Sequence, residues 1–298
     1  MRRQSFSRKV FNVFNIVFMC LMLITMLFPY SNILAKAFND GKDTAKGGIT
    51  IFPRVFTLEN FQTIILDEAF PRAFILSVGI VIGATVLTLV VQFMAAYALT
   101  RKDLIGRSAL LVFFMIPMYF GGGLIPTYIM YSKIGLLNNV LVYLLPTCFG
   151  LYTTVIIRSY INGLPGGLTE AARIDGASEL TILWKIIVPL SKPIMATIAL
   201  WTAVGKWNDW TTTMYFVTKR RLFTLQYMLV QVLKETQMIQ NMIDEALKRG
   251  EQYIASVNVT TEAVKCAQII VTTIPIVLVY PFLQKYFIKG VMVGAIKD

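Results

Sequence analysis

The chain has 298 residues, 56% of them hydrophobic, and a formal net charge of +12 at pH 7. Soluble domains are only about 45–50% apolar, so this composition excludes an ordinary soluble domain and predicts a protein that crosses a membrane several times. The basic residues do not form runs with interleaved aromatic residues, which argues against a nucleic-acid partner and favours the anionic headgroups of the lipid bilayer.

A first transmembrane helix is predicted near the N-terminus. Residues 10–35 contain no Asp, Glu, Lys or Arg and follow a basic segment. The run ends at Ala35-Lys36-Ala37, a small-x-small sequence, so a cleaved signal peptide is the alternative. The hydrophobic region of a signal peptide is only about 7–15 residues long, whereas this run can span a bilayer. We therefore interpret it as a retained helix with the N-terminus in the cytoplasm.

Helices two to four are predicted from three further uncharged runs, at about 73–99, 108–131 and 134–157. Polar residues 36–72 precede them and are interpreted as an external loop. Residues 101–107 carry three basic residues against one acid, which is typical of a short cytoplasmic loop. Only Lys133 separates the third run from the fourth, so we expect an antiparallel hairpin whose turn faces outside.

The fourth helix is followed by a polar, helix-prone stretch within residues 158–192. Glu170 is expected in the first turn of a short helix, where the helix dipole favours an acid. Gly176 then interrupts the helix. Ser178 is a plausible N-cap for a second short helix with Glu179 in its first turn, and Pro189 ends it. The pattern predicts a helix-turn-helix knob on the cytoplasmic side, and a simple solvated connection is the alternative.

The fifth crossing is predicted at about 193–217. Its uncharged part is too short to span a bilayer, so the helix must continue through Lys206 and Asp209, which lie one turn apart and can pair. A charge inside a membrane is by default a functional candidate facing a cavity or a partner. The alternative is an outer-leaflet side chain that snorkels beside an aromatic belt of Trp207 and Trp210.

A last crossing at about 265–284 completes an all-α fold with six transmembrane helices and both termini in the cytoplasm. Residues 218–264 are then a second external region, in which the spacing of apolar residues predicts a surface helix over Leu225 to Leu247. Lys and Arg are equally numerous on the two sides of this topology. The orientation therefore depends on their higher density in the short inner segments. We treat residues 1–298 as a single transmembrane domain.

The stretch from Glu170 to Val188-Pro189 resembles the EAA loop of the membrane subunits of ABC importers. In that family the loop is a coupling helix that docks into a cleft on a separate ATPase subunit. One departure is that Pro165 is followed here by Gly166-Gly167-Leu168-Thr169, without the usual acid. The resemblance implies ATPase-coupling roles for Glu170, Ala171, Ala172, Asp175, Gly176, Ala177 and Pro189.

Similarity to the maltose-type, MalG-like permeases of carbohydrate importers runs through nearly the whole chain. It is carried by Phe56 to Asn60, by Ala95 to Arg101 with Gly106-Arg107, and by Trp207-Asn208-Asp209. The segments from Gly121 to Tyr128 and from Tyr280 to Gly290 resemble the LplC-type subgroup, which is associated with complex oligosaccharides. The resemblance implies four kinds of partner besides lipid: a second, homologous permease subunit in a heterodimer, an ATPase dimer that holds ATP and magnesium, an extracytoplasmic solute-binding protein, and an oligosaccharide.

Two further groups of residues are candidates for contacts. Residues that could line the pathway or meet the partner permease are Gly122, Tyr128, Lys206, Trp207, Asn208 and Asp209. For the glycine segment, close helix packing is the alternative. Residues of the tail that could reach the ATPase are Lys289, Gly290 and Gly294. For these, a basic tail lying on lipid is the alternative.

We therefore expect a cell-membrane permease subunit that forms half of a pathway for an oligosaccharide and is not an enzyme. The chain lacks the phosphate-binding Gly-x-x-x-x-Gly-Lys-Ser/Thr motif and all histidine, and its three cysteines lie in apolar segments, so we expect no cofactor and no metal on this chain. Alternatives are an importer subunit for another solute class, such as peptides or metals, and a gradient-driven secondary transporter. A membrane-embedded enzyme is disfavoured because no acid-base set is evident.

Overall fold

The computed structural model describes residues 6–248 and 262–278. Within those ranges the regular structure is helical, apart from one isolated antiparallel bridge between Asn39 and Phe56, so the helical fold class is confirmed for this part of the chain. The helices are α1 (Phe6–Ala37), α2 (Gly41–Ala45), α3 (Glu59–Ile65), α4 (Ala69–Thr100), α5 (Arg107–Tyr119), α6 (Leu124–Lys133), α7 (Leu141–Leu144), α8 (Leu151–Asn162), α9 (Gly166–Ile174), α10 (Glu179–Ile182), α11 (Val188–Leu190), α12 (Lys192–Trp207), α13 (Thr211–Phe216), α14 (Leu225–Lys248) and α15 (262–278).

Among the described residues, two helices are long and apolar enough to cross a membrane, Ser7–Ala37 within α1 and the whole of α4. Two bent pairs add one span each if each pair is a single crossing: α5 with α6, and Glu179–Leu190 with α12. Side chains along most of α1 are exposed, as expected of a helix that faces lipid. The helix predicted from Leu225 to Leu247 is confirmed, because α14 covers it.

The run predicted as a third crossing contains two helices instead of one. α5 and α6 are bent by 118° at residues 120–123. Pro117 cannot donate a backbone hydrogen bond within the last turn of α5, and Gly123 takes a positive φ of 83° that an L side chain resists. Proline and glycine therefore end one helix and start the next in another direction.

The run predicted as a fourth crossing is also broken. Only α7 and α8 are helical there, and α8 begins at Leu151 and continues to Asn162. Asn138 has a left-handed backbone with φ of 56°, which prevents the helix from starting at residue 134. Pro146 and Gly150 then lie in the non-helical segment between α7 and α8.

The described residues fall into two compact units, and the assignment of the whole chain to one domain stays a prediction. Within the described ranges, the first unit comprises residues 6–70, 229–248 and 262–274. Its core packs Ala37 of α1 and Ile64 of α3 against Cys266 and Ala267 of α15. Lys36 forms a 2.7 Å ion pair with Glu262, so the end of α1 is tied to the start of α15.

The second unit comprises residues 71–228 and 275–278 of the described chain, and it contains two cores. One core lies beside the N-terminal half of α4, where the buried Tyr143 hydroxyl donates to the Leu222 carbonyl and lies 2.9 Å from Thr213 Oγ1. The other core joins α4, α8, α12 and the segment between residues 182 and 187. This second core supports the candidate site.

Candidate functional site

The stretch that resembles the EAA loop forms a helical knob over residues 166–190, which we call the coupling knob. Its first helix, α9, begins at Gly166 after Pro165. The expectation that Glu170 stands in the first turn was therefore wrong, because Glu170 lies in the second turn. Thr169 could have capped a helix starting at Glu170, but its hydroxyl donates to the Gly166 carbonyl instead.

A Schellman motif ends α9 at the glycine that the sequence pattern singled out. Gly176 has a φ of 77°, its N–H donates to the Arg173 carbonyl at 3.0 Å, and the Ala177 N–H donates to the Ala172 carbonyl at 2.9 Å. These two hydrogen bonds satisfy carbonyls that the end of a helix leaves free. The knob therefore turns sharply at Gly176.

The second half of the knob starts as predicted. The Ser178 hydroxyl accepts a hydrogen bond from the Thr181 N–H, and Glu179 lies in the first turn of α10. The helix then widens into a π-helical turn over Leu183–Ile187 before α11. Pro189, which has no N–H and crowds the carbonyl four residues earlier, accounts for this wide turn. The chain bends by 83° at Ser191, before α12.

The knob has one face on the core and one face in solvent. Ala172 and Ala177 pack against the buried cluster that includes Phe93 of α4 and Ile157 of α8. On the other side, Ile174 is 86% exposed, Leu168 is 48% exposed, and the carboxylates flank them. We call this surface the docking face, and its members are Leu168, Glu170, Ala171, Ile174 and Asp175.

The docking face is an apolar patch with two carboxylates on a short helix whose other side is anchored in a core. Exposed apolar side chains rimmed by charge are typical of protein contact sites. A partner surface that covered it would need apolar groups opposite Ile174 and basic or hydrogen-bonding groups opposite Glu170 and Asp175, because an unpaired buried carboxylate is costly.

Beside the knob lies a polar cleft of about 420 Å³, lined by the C-terminal ends of α4 and α8 and by the start of α9. Arg101, just beyond α4, binds Asp103 through two hydrogen bonds of 3.1 Å each. These bonds lower the pKa of the Asp103 carboxyl and raise the pKa of the Arg101 guanidinium. Arg101 also lies 3.1 Å from Glu179, a contact that sequence reasoning missed because its partners are far apart in the chain.

Gly122 and Tyr128, the first two predicted pathway residues, lie near the bend between α5 and α6. Gly122 is part of the non-helical segment, and Tyr128 lies on α6 with its side chain 45% exposed. The Tyr128 ring stacks on Phe216 of α13 with centroids 6.2 Å apart. The structure therefore brings the irregular glycine segment and one aromatic ring to the same region of the second unit.

The other four pathway candidates lie at the junction of α12 and α13. Lys206 is buried, and its ammonium lies 3.5 Å from the Asp209 carboxylate, so the predicted pair is confirmed. Asp209 also accepts hydrogen bonds from the Thr212 N–H and the Thr211 hydroxyl, which fixes the start of α13. The Asn208 amide donates to the Val204 carbonyl.

Trp207 is buried and meets Phe74 edge-on, with ring centroids 6.2 Å apart. It also lines an apolar cavity of about 240 Å³ between α4, α12 and the end of α15. Trp207 therefore does not contribute an exposed ring to the aromatic belt that was the alternative for this region. The predicted tail contacts, Lys289, Gly290 and Gly294, lie outside the described residues.

Comparison with known proteins identifies the family. The model of the family described as "Binding-protein-dependent transport system inner membrane component" matches residues 89–293. The chain is 33% identical to Protein LplC of Bacillus subtilis over 97% of this chain and 95% of that protein. It is 30% identical to the polygalacturonan/rhamnogalacturonan transport system permease protein YtcP of the same organism, over 98% and 99% of the two chains.

A solved structure agrees with this result. A chain of a bacterial ABC transporter involved in the import of the acidic polysaccharide alginate superimposes with a TM-score of 0.85 at 26% identity, over 96% of this chain and 100% of that one. The resemblance stated from the sequence is confirmed. The chain belongs to the family of binding-protein-dependent transport system inner membrane components, and it is a membrane permease subunit of an ABC transporter and not an enzyme.

Proposed function

We propose that this permease forms half of the transmembrane pathway of an importer for an oligosaccharide, paired with a second, homologous permease subunit. The proposed topology has six crossings, with both termini and the coupling knob in the cytoplasm. An ATPase dimer supplies ATP hydrolysis, and an extracytoplasmic binding protein delivers the sugar. The substrate class is supported by the relatives, which include a polygalacturonan/rhamnogalacturonan permease and an arabinooligosaccharide permease.

The observation that carries the coupling role is the docking face on an anchored helix. Ile174 is 86% exposed at the tip of α9, whereas Ala172 on the same helix packs on the core. A side chain as apolar as isoleucine is well placed in a partner's groove, because burying it there is favourable. In this proposal the docking face is inserted into a cleft on the ATPase subunit.

The mechanism follows from how the knob is connected. α8 precedes the knob and α12 follows it, and both contribute to the core on which the knob packs. When the ATPase dimer closes, the knob moves with it, and α8 and α12 move because they are joined to the knob and packed against it. Access then switches between the two sides of the membrane. Gly122, Tyr128 and the Lys206–Asp209 region remain candidates for lining the pathway or contacting the second permease.

The test changes the docking face without touching the core. Ile174→Asp places a third carboxylate at an exposed position, so the subunit should still fold, while insertion into an apolar groove should fail. We expect copurification of the ATPase and ATP-driven uptake into proteoliposomes to fall by at least about tenfold, the effect of losing one central apolar anchor. Uptake is measured with the binding protein and a panel of labelled galacturonan, arabinan and alginate oligosaccharides.

Ile105→Asp is the matched control, because Ile105 is 95% exposed on the loop between α4 and α5 and lies outside the knob. It should behave like the wild type. Full ATPase binding and uptake by Ile174→Asp and by Glu170→Lys would refute the coupling role. Uptake without ATP or without any ATPase would instead support a gradient-driven carrier, and uptake of peptides alone would move the permease to another solute class.

A further inference from the structure

Glu179 is the meeting point of three side chains from two other parts of the chain. Its Oε2 accepts a hydrogen bond of 2.5 Å from the Tyr97 hydroxyl. Its Oε1 accepts a hydrogen bond of 3.1 Å from Arg173 Nε and lies 3.1 Å from Arg101 Nη1. We call these four residues the Glu179 cluster. One carboxylate thus contacts both α9 and the end of α4.

The anchor of the cluster is Tyr97. Its ring belongs to the buried core around Phe93, and the residue is only 7% exposed. The hydroxyl is therefore held in place by packing at the cytoplasmic end of α4. Because the Glu179 carboxylate binds this hydroxyl, it is held at a fixed position relative to α4.

The second half of the cluster fixes the shape of the knob. Arg173 lies in the last turn of α9, and Glu179 lies in the first turn of α10, on the far side of the Gly176 turn. Glycine imposes little restriction on its own backbone, so the angle between α9 and α10 needs support from elsewhere. The Arg173–Glu179 contact spans that turn.

Because the Glu179 cluster lies between the knob and α4, it affects how these two parts move together. The knob is covalently connected to α8 and α12, which flank it in the sequence. It interacts with α4 only through non-covalent contacts. The packing of Ala172 and Ala177 on the core is non-directional, whereas hydrogen bonds require specific distances and angles. The Glu179 cluster therefore provides the directional contact between the knob and α4.

We propose that Glu179 is a positioning residue that makes the coupling knob and α4 move as one body. This inference rests on the coupling role proposed above and adds α4 to the parts that the ATPase moves. The carboxylate is not a group that holds the subunit together. Its side chain is 48% exposed, and ion pairs at such exposure contribute little to global stability.

Asp103 offers a matched control. It is the other carboxylate bound to Arg101, and its side chain is 71% exposed. It lies on the loop after α4, and its side-chain hydrogen bonds within the described residues go to Arg101 and not to the knob. Removing it changes the charge around Arg101 by the same amount as removing Glu179, but it leaves the contact between knob and α4 in place.

The functional experiment measures uptake per ATP hydrolysed by the complete transporter in proteoliposomes. For Glu179→Ala we expect the complex to assemble and ATP hydrolysis to continue, while uptake per ATP falls by at least about fivefold, the lower range of coupling between two sites. Tyr97→Phe, which removes only the hydroxyl, should lower the ratio in the same direction. Glu179→Gln keeps an oxygen acceptor and should be intermediate, and Asp103→Ala should match the wild type.

A second experiment measures position and does not depend on transport. Spin labels are placed at the exposed positions Ala98 on α4 and Lys185 in the π-helical turn of the knob, outside the docking face, after the three native cysteines have been replaced by alanine. We expect a narrow distance distribution in the otherwise unchanged transporter and in Asp103→Ala. Glu179→Ala and Tyr97→Phe should broaden it.

The two measurements separate this inference from the proposed function. Unchanged distance distributions in both Glu179→Ala and Tyr97→Phe would overturn the positioning role. A broadened distribution with unchanged uptake per ATP would overturn its link to coupling. If Ile174→Asp also had no effect on ATPase binding, the proposed function would fail, whereas the distance measurement would still decide whether Glu179 holds the knob to α4.

Discussion

At the scale of single residues, Asn138 shows how one side chain can replace a regular hydrogen-bond ladder. Its Oδ1 accepts hydrogen bonds from the Thr218 N–H, the Thr218 hydroxyl and the Lys219 N–H. Its own N–H donates to the Phe216 carbonyl at 3.1 Å. The left-handed backbone of Asn138 makes this geometry possible, and asparagine tolerates that conformation better than most residues. The segment before α7 is thereby joined to the end of α13.

A pair of substitutions separates the two contributions of Asn138. Asn138→Gly keeps the backbone conformation but loses the acceptor, which should destabilise the protein by about 1–2 kcal/mol. Asn138→Ala loses the acceptor and also forces a Cβ into the left-handed region, which should cost about 1 kcal/mol more. The apparent melting temperature of the detergent-solubilised subunit should therefore decrease from wild type to Gly to Ala. Equal melting temperatures for the two variants would contradict the backbone argument.

At the scale of elements, two of the three glycines in the coupling knob, Gly167 and Gly176, have opposite backbone requirements. Gly176 has a φ of 77°, so a side chain is strained there, although no other atom lies within 4 Å of the place that a Cβ would take. Gly167 lies inside α9, outside the positive-φ region, and has the same open surroundings. The difference between the two sites is therefore purely one of backbone conformation.

We predict opposite effects of alanine at these two positions. Gly176→Ala should destabilise the turn by about 1 kcal/mol, because an L residue is disfavoured at positive φ. Gly167→Ala should stabilise α9 by up to about 1 kcal/mol, because alanine restricts the unfolded chain and favours the helix. Amide hydrogen exchange over residues 166–180 should become faster in the first variant and slower in the second. Slower exchange in both variants would show that the turn does not depend on Gly176, whereas faster exchange in both would contradict the argument for Gly167.

At the scale of the whole molecule, the property to test is the side of the membrane that each loop faces. Phe52 is 80% exposed in the loop assigned to the outside, and Ile105 is 95% exposed in the loop assigned to the cytoplasm. In a cysteine-free background, a membrane-impermeant maleimide should label Phe52→Cys in intact cells. It should label Ile105→Cys only after the membrane is opened. Labelling of both in intact cells, or only of Ile105→Cys, would overturn the six-helix topology.

The sequence predicted more of the knob than of the helices around it. Ser178 as an N-cap and Gly176 as an interruption are local properties, and both are confirmed. The start of α9 was misplaced because the acid at Glu170 was taken as the sign of a first turn, whereas the Thr169 hydroxyl binds the Gly166 carbonyl inside a helix that has already begun. The bend between α5 and α6 was missed because uncharged composition predicts that a run can lie in lipid, not that it is one straight helix.

By itself the sequence determined that the chain is a helical membrane protein with a polar helix-turn-helix stretch, and its resemblance to a known family added the permease assignment. Hydrophobic run length, glycine, proline and capping residues act over a few neighbouring positions, and they can be read without knowing the fold. Only the tertiary structure decided which face of the knob is exposed, that Lys206 is buried beside Asp209, and that Glu179 binds Tyr97. Those outcomes depend on which segments pack together, and contacts between residues 82 positions apart leave no periodic signal in the sequence.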